Sequence, residues 1–177
     1  LISSYEITLK FILVGEENLE TVHEPSLYNI YCLQDVNRIA PFYNIDFQAH
    51  EYPAKELVEK ANSILTAVKS DDLIEIANKV SSALWEGDIG TLDKLSSTYF
   101  ATKAEVKENL IQGNKIRDAK GYYFGSAFYY EKELYWGVDR LPHLEERLAD
   151  LGAKKVHETQ NICPLELKAP KQFTSDK

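Results

Sequence analysis

Asp139 has the most chemistry in its setting. It stands in the string Glu133 to Leu141, ELYWGVDRL, shortly before Pro142, a residue that suits the first turn of a helix. A carboxylate beside a helix N-terminus can cap that helix, with Arg140 in a surface ion pair, or it can accept a cationic group from a ligand. Both roles stay open at this level. Gly125 and Ser126, within the string FGSAF, offer backbone and hydroxyl groups, and they equally suit a simple turn into a strand. The aromatics Tyr122, Tyr123, Phe124, Phe128, Tyr129 and Tyr130 suit either an apolar cleft for an aromatic substrate or the two faces of a strand. Thiol and metal chemistry is poorly provided for. Cys32 and Cys163 are far apart with no CxxC pair, and Cys32 reads as a buried, inert thiol. The four histidines are scattered, so His23 and His50 read as solvated and no metal is expected. Trp85 and Trp136 read as core aromatics, and Glu145 with Glu146 as a solvated helix face.

These residues need elements to hold them. Tyr5, Ile7, Leu9, Phe11 and Leu13 alternate with polar residues up to Gly15, which predicts a strand. The polar stretch from Glu16 to Pro25 predicts a loop. A helix is expected from about Ser26 to Ile39, with Ser26 as a candidate cap, Leu27, Ile30, Tyr31 and Gln34 or Asp35 at helical spacing on one side, and Pro41 at its end. A second starts near Lys55 and carries Leu57, Ala61, Ile64, Leu65 and Val68. A third follows Asp71 and Asp72, with Leu73, Ile76, Ala77, Val80 and Leu84 on one face and Gly87 as its stop. Thr91 is a candidate cap for a short helix through Leu95, and Thr102 with Glu105 has capping-box spacing before Val106, Leu110 and Ile116. Phe128 to Tyr130, a charged turn and Leu134 to Trp136 predict a β-hairpin. A last helix presents Leu141, Leu144, Leu148 and Leu151 inward and is closed by Gly152. The tail after Lys154 reads as irregular.

The 177 residues are enough for one domain with a sizeable insertion. The formal charge of −8 argues against nucleic acid or an anionic membrane surface as the main partner. No apolar run approaches the roughly 20 residues of a membrane-spanning helix. A soluble protein of a reducing compartment is expected. Met 0 is unusual at this length and raises the expectation that residues are missing from the sequence.

The order of strand, loop, helix, helical block, hairpin and helix resembles a thioredoxin-like α/β sheet with an inserted α-helical subdomain, as in DsbA-like proteins. Local strings make the resemblance more specific. Tyr31, Asp35, Arg38, Ala40, Tyr43, Ile45 and Phe47 keep one spacing, Leu84, Trp85, Gly87, Asp88 and Ile89 a second, and the ELYWGVDRL string a third. All three are similar to signatures of the 2-hydroxychromene-2-carboxylate isomerase and kappa-class glutathione transferase family, in the same order, from about Tyr5 to Leu151.

The resemblance implies a thioredoxin-like domain over 1–52 and 119–155, an inserted helical subdomain over 53–118 and an irregular extension over 156–177, with the family's first strand and helix absent. It implies glutathione as cofactor and a small aromatic or enone-like electrophile as substrate. Ser3 would be the remnant of the catalytic serine that holds the thiolate, close to Ser126; alternatively Ser3 and Ser4 are only an approach to the strand. Gly125 and Ser126 would offer backbone to the cysteinyl part of glutathione, from a loop that here contains no proline. Asp139 would take the γ-glutamyl ammonium, with the backbone at Val138, where the family carries a serine, receiving the carboxylate. Asn18 and Tyr28, the latter in place of a lysine, would meet the glycyl end. A homodimer is implied, within the cell: cytoplasmic in a bacterium, mitochondrial or peroxisomal in a eukaryote. A non-catalytic binding protein of the same fold is the second expectation, and a disulfide oxidoreductase the third.

Overall fold

A computed structural model of the chain describes residues 1–15, 22–47, 49–69 and 71–155. The protein is mixed helix and sheet, with a small antiparallel sheet of two strands among the described residues. It divides into two compact units, one made of Leu1–Phe11 with the chain from Ser126 onward, the other of Ile12–Gly125.

The second unit is helical. It contains α1 (Pro25–Ile39), α2 (Lys55–Ala67), α3 (Leu73–Glu86), α4 (Ile89–Thr98) and α5 (Lys103–Ala119). Periodicity dictates its core: Ala61 and Ile64 of α2 meet Ile76, Val80 and Ala83 of α3 and Leu92 of α4, with Leu57, Leu65, Val68 and Leu84 packed around them. Gly87 ends α3 in the left-handed conformation at φ 69°, as its position predicted. Thr102 and Glu105 form the full capping box of α5, each side chain bonding the other's backbone N–H. The cap of α4 is Asp88 rather than Thr91; its carboxylate accepts from the Thr91 backbone at 3.0 Å, because Thr91 already lies a turn inside the helix. Helix α1 begins at Pro25, so Ser26 is not its cap. Leu27, Ile30 and Tyr31 are exposed, and the inward side of α1 carries Tyr28, Cys32, Leu33 and Ile39 instead.

The first unit pairs β1 (Ala127–Tyr130) with β2 (Glu133–Trp136) and covers the hairpin with α6 (Leu141–Asp150). Tyr135, Leu144 and Leu148 enclose Tyr5. The strand expected over Tyr5 to Val14 is not formed: Tyr5 makes a single bridge to Lys154, and Leu9 and Phe11 are exposed. Alternation alone cannot make a strand without a neighbour to complete its ladder. Leu151 is also exposed, so the inner stripe of α6 stops at Leu148. Trp136 lies on the exposed face of β2 rather than in the core.

The hairpin turn places Glu131 at φ 43° and Lys132 at φ 76°. Two consecutive left-handed residues match a right-twisted hairpin, but side chains with a Cβ are strained there. Lys132→Gly should therefore stabilise this unit by up to about 1 kcal/mol, read as a raised urea midpoint at unchanged slope. A lowered midpoint would mean that the lysine side chain contributes more than its backbone strain costs.

Candidate functional site

The open end of the hairpin gathers three of the sequence-predicted residues. The ladder pairs Ala127 with Trp136, so Ser126 and Gly137 are next in register on the two strands. Ser126 adopts φ 53°, and its carbonyl accepts a hydrogen bond from the Gly137 N–H at 3.1 Å. Gly137, at φ 83°, then turns the chain into a 3-10 turn, Val138–Arg140, that leads directly into α6. The positive φ at Gly137 favours glycine, and a Cβ there would come within 2.8 Å of Asp139 Oδ1, so the carboxylate would have to turn aside. Ser126, Val138 and Asp139 therefore share one exposed loop cluster, held by a glycine and a cross-strand bond.

Asp139 is half exposed, with Oδ2 at 3.7 Å from Arg140 Nε. It does not cap α6, whose N-cap position is Arg140 without a side-chain cap bond. Of the two roles open in the sequence, capping is the one this geometry lacks.

Ser3 belongs to the same unit and is exposed in the turn that precedes Tyr5; its carbonyl accepts from Lys155 Nζ at 3.0 Å. Tyr28 and Gly125 belong to the helical unit. The Tyr28 ring stacks on Phe124 with centroids 6.4 Å apart, and Val14 packs near Gly125. Asn18 lies outside the described residues, as does Cys163. Tyr122, Tyr123 and Phe124 are not in a strand: their rings cluster, Tyr123 and Phe124 at 4.4 Å. Trp85 packs edge-on against Phe47 at 5.3 Å. Among the described residues, no three His, Cys, Asp or Glu side chains group to hold a metal ion, and no helix is long and apolar enough to cross a membrane.

The first unit also buries groups that the sequence pattern placed in solvent. Glu145, expected on a solvated face, is fully buried and accepts a 3.0 Å hydrogen bond from the Tyr5 hydroxyl, itself 1% exposed. Its helical phase beside Leu144 and Leu148 was the one signal for this, because a charged residue next to an apolar stripe reads as its solvated margin. Tyr135 donates to the Glu133 carboxylate, which in turn faces Arg147. Burial, then the bond to Glu133, pushes the Tyr135 hydroxyl up to about 12, so it stays protonated through the physiological range. No protein-family model matches this chain, and neither a curated protein nor a solved structure matches it closely enough to count as similar.

Proposed function

We propose that this protein binds glutathione and uses its thiolate on a small aromatic or enone-like electrophile, as an isomerase or transferase, within a thioredoxin-like fold carrying a DsbA-like helical insertion. One observation carries the reading: Asp139 is held half exposed in a glycine-hinged turn beside Ser126, and its carboxylate is not used as a helix cap. That arrangement suits the ammonium of a γ-glutamyl arm, and the string around it is the strongest of the motifs that suggest the family. The thiolate would add to an electrophilic carbon. Isomerisation would follow by rotation about the bond so weakened and elimination of the thiolate, whereas transfer would leave the conjugate. Ser3 would hold the thiolate by hydrogen bonding, and Val138 and Ser126 would offer backbone; the family resemblance implies further glutathione contacts at Asn18, Tyr28 and Gly125. A homodimer inside the cell belongs to the same reading. A binding protein without catalysis is the second reading, favoured by Val138 where the family has a serine and by Tyr28 where it has a cation.

Calorimetric titration with glutathione, combined with an isomerase assay on a hydroxychromene carboxylate, tests both. Asp139→Asn should weaken glutathione binding about tenfold or more, since a charge-assisted hydrogen bond contributes roughly 1.5–3 kcal/mol. Unchanged affinity in this variant would remove Asp139 from the site. Binding without turnover of this substrate or of a generic transferase substrate leaves the second reading, and no binding at all overturns both.

A further inference from the structure

The helical unit carries a groove of about 740 Å³ between α2, the end of α4 and α5, remote in sequence from the hairpin site. Its volume falls within the range of small-molecule sites, roughly 300–1,000 Å³. Its apolar wall is Val106 and Leu110, half buried, with Ile111, and its rim is Phe100, a residue 72% exposed. The floor is fixed, because the Ser63 hydroxyl donates to the Ala101 carbonyl at 2.8 Å and accepts from the Ala101 N–H at 3.0 Å.

The charges along this groove are arranged asymmetrically. Lys103 and Lys107 sit one turn apart on the α5 wall, and among the described residues neither is paired with a carboxylate. Two like charges at this spacing repel, and both occupy the N-terminal half of α5, where the helix dipole disfavours cations. Glu56 and Glu59 line the α2 side, while Lys60 there is already engaged by Asp93. An anion is thus complementary to the α5 wall alone, beside the apolar strip formed by the same helix.

We infer that this groove binds a small amphipathic carboxylate, its head group on Lys103 and Lys107 and its apolar body along Val106, Leu110 and Phe100. The inference is independent of the glutathione reading, since it uses none of the hairpin residues.

Dodecanoate is a suitable probe, with dodecylammonium as its opposite-charge counterpart, both below their micellar concentrations. Titration followed by calorimetry and by amide NMR shifts should show one dodecanoate per chain, perturbing α5 and Phe100. The double variant Lys103→Gln, Lys107→Gln should weaken it roughly tenfold or more, and Phe100→Ala should weaken both probes. All three substitutions are at exposed positions, so an unchanged circular dichroism spectrum controls for folding. Equal affinity for the two probes, or no effect of the lysine variants, overturns the proposal. So does sedimentation equilibrium in which Phe100→Ala dissociates a dimer that dodecanoate leaves intact, which would make the groove a contact between two copies of this chain.

Discussion

Gly113→Ala should destabilise the helical unit by about 1–3 kcal/mol, although the same change in an open helix interior would stabilise it by about 1 kcal/mol. The reason is a close approach of backbone to backbone. A Cβ at Gly113 would overlap the Leu13 carbonyl oxygen and lie 2.9 Å from its carbonyl carbon. Gly113 is buried in α5, and the segment that crosses it is tied down two residues further along, where the Gly15 N–H donates to Asn114 Oδ1 at 2.9 Å. The clash involves main chain on both sides, so no rotamer change can relieve it; either Leu13 lifts off α5 or the helix shifts. Urea unfolding followed by the helical circular dichroism signal should show a lower midpoint. Asn114→Ala, which removes the tether but adds no bulk, should show a smaller loss. A neutral or stabilising Gly113→Ala would mean that residues 12–15 do not rest on α5.

The second large effect is expected at Tyr5. Replacing it with alanine should cost about 3–5 kcal/mol, the usual range for deleting a large aromatic from a packed core. Tyr5 is 1% exposed among Tyr135, Leu144 and Leu148, and its hydroxyl donates to the buried Glu145 carboxylate. Tyr5→Phe keeps the ring and removes only that donor, which should cost about 1–3 kcal/mol because a buried carboxylate loses a partner. The two variants together separate packing from hydrogen bonding. Each unit holds one tryptophan, Trp85 in the helical unit and Trp136 in the hairpin unit. In a Trp85→Phe background, the fluorescence of Trp136 therefore reports the unfolding of the first unit. If Tyr5→Phe proves as costly as Tyr5→Ala, the hydroxyl rather than the packed ring dominates the stability of this core.

Both effects arise where local pattern and tertiary environment diverge. The helices of the second unit were legible because their signals are local: the apolar stripes of α2 and α3, the reciprocal caps of Thr102 and Glu105, and the left-handed stop at Gly87 all act within a turn or two. The hairpin was legible for the same reason. Its turn falls at the charged residues Glu131 and Lys132, as the pattern predicts, even though neither is a glycine or asparagine. The candidate site was legible in part. The pattern that marks Asp139 as a residue beside a helix start is local, and the structure adds that its carboxylate is not the cap.

Phase errors account for much of the rest. Leu27, Ile30 and Tyr31 form a good apolar stripe on α1, yet the side that packs carries Tyr28, Cys32 and Leu33. Both stripes are apolar, so the periodicity of α1 by itself has two solutions. The same ambiguity hid Glu145, which shares the buried side of α6 with Leu144 and Leu148. A carboxylate can be buried there because Tyr5, distant in sequence, brings a hydroxyl to it.

The sequence by itself determined the helices α2, α3 and α5 and the hairpin turn, since capping groups, glycine stops and apolar periodicity act through neighbours a few residues apart, whereas α1 and α4 start ahead of the caps expected at Ser26 and Thr91. Only the tertiary structure decided that the alternating segment after Tyr5 is not a strand, that Glu145 is interior, and that Gly113 has to be glycine. The first reflects the want of a ladder partner among the described residues, and the other two depend on a group that approaches from far along the chain, the Tyr5 hydroxyl and the Leu13 carbonyl. Such approaches leave no periodic trace, because one hydroxyl or one carbonyl satisfies or obstructs a single position without repeating.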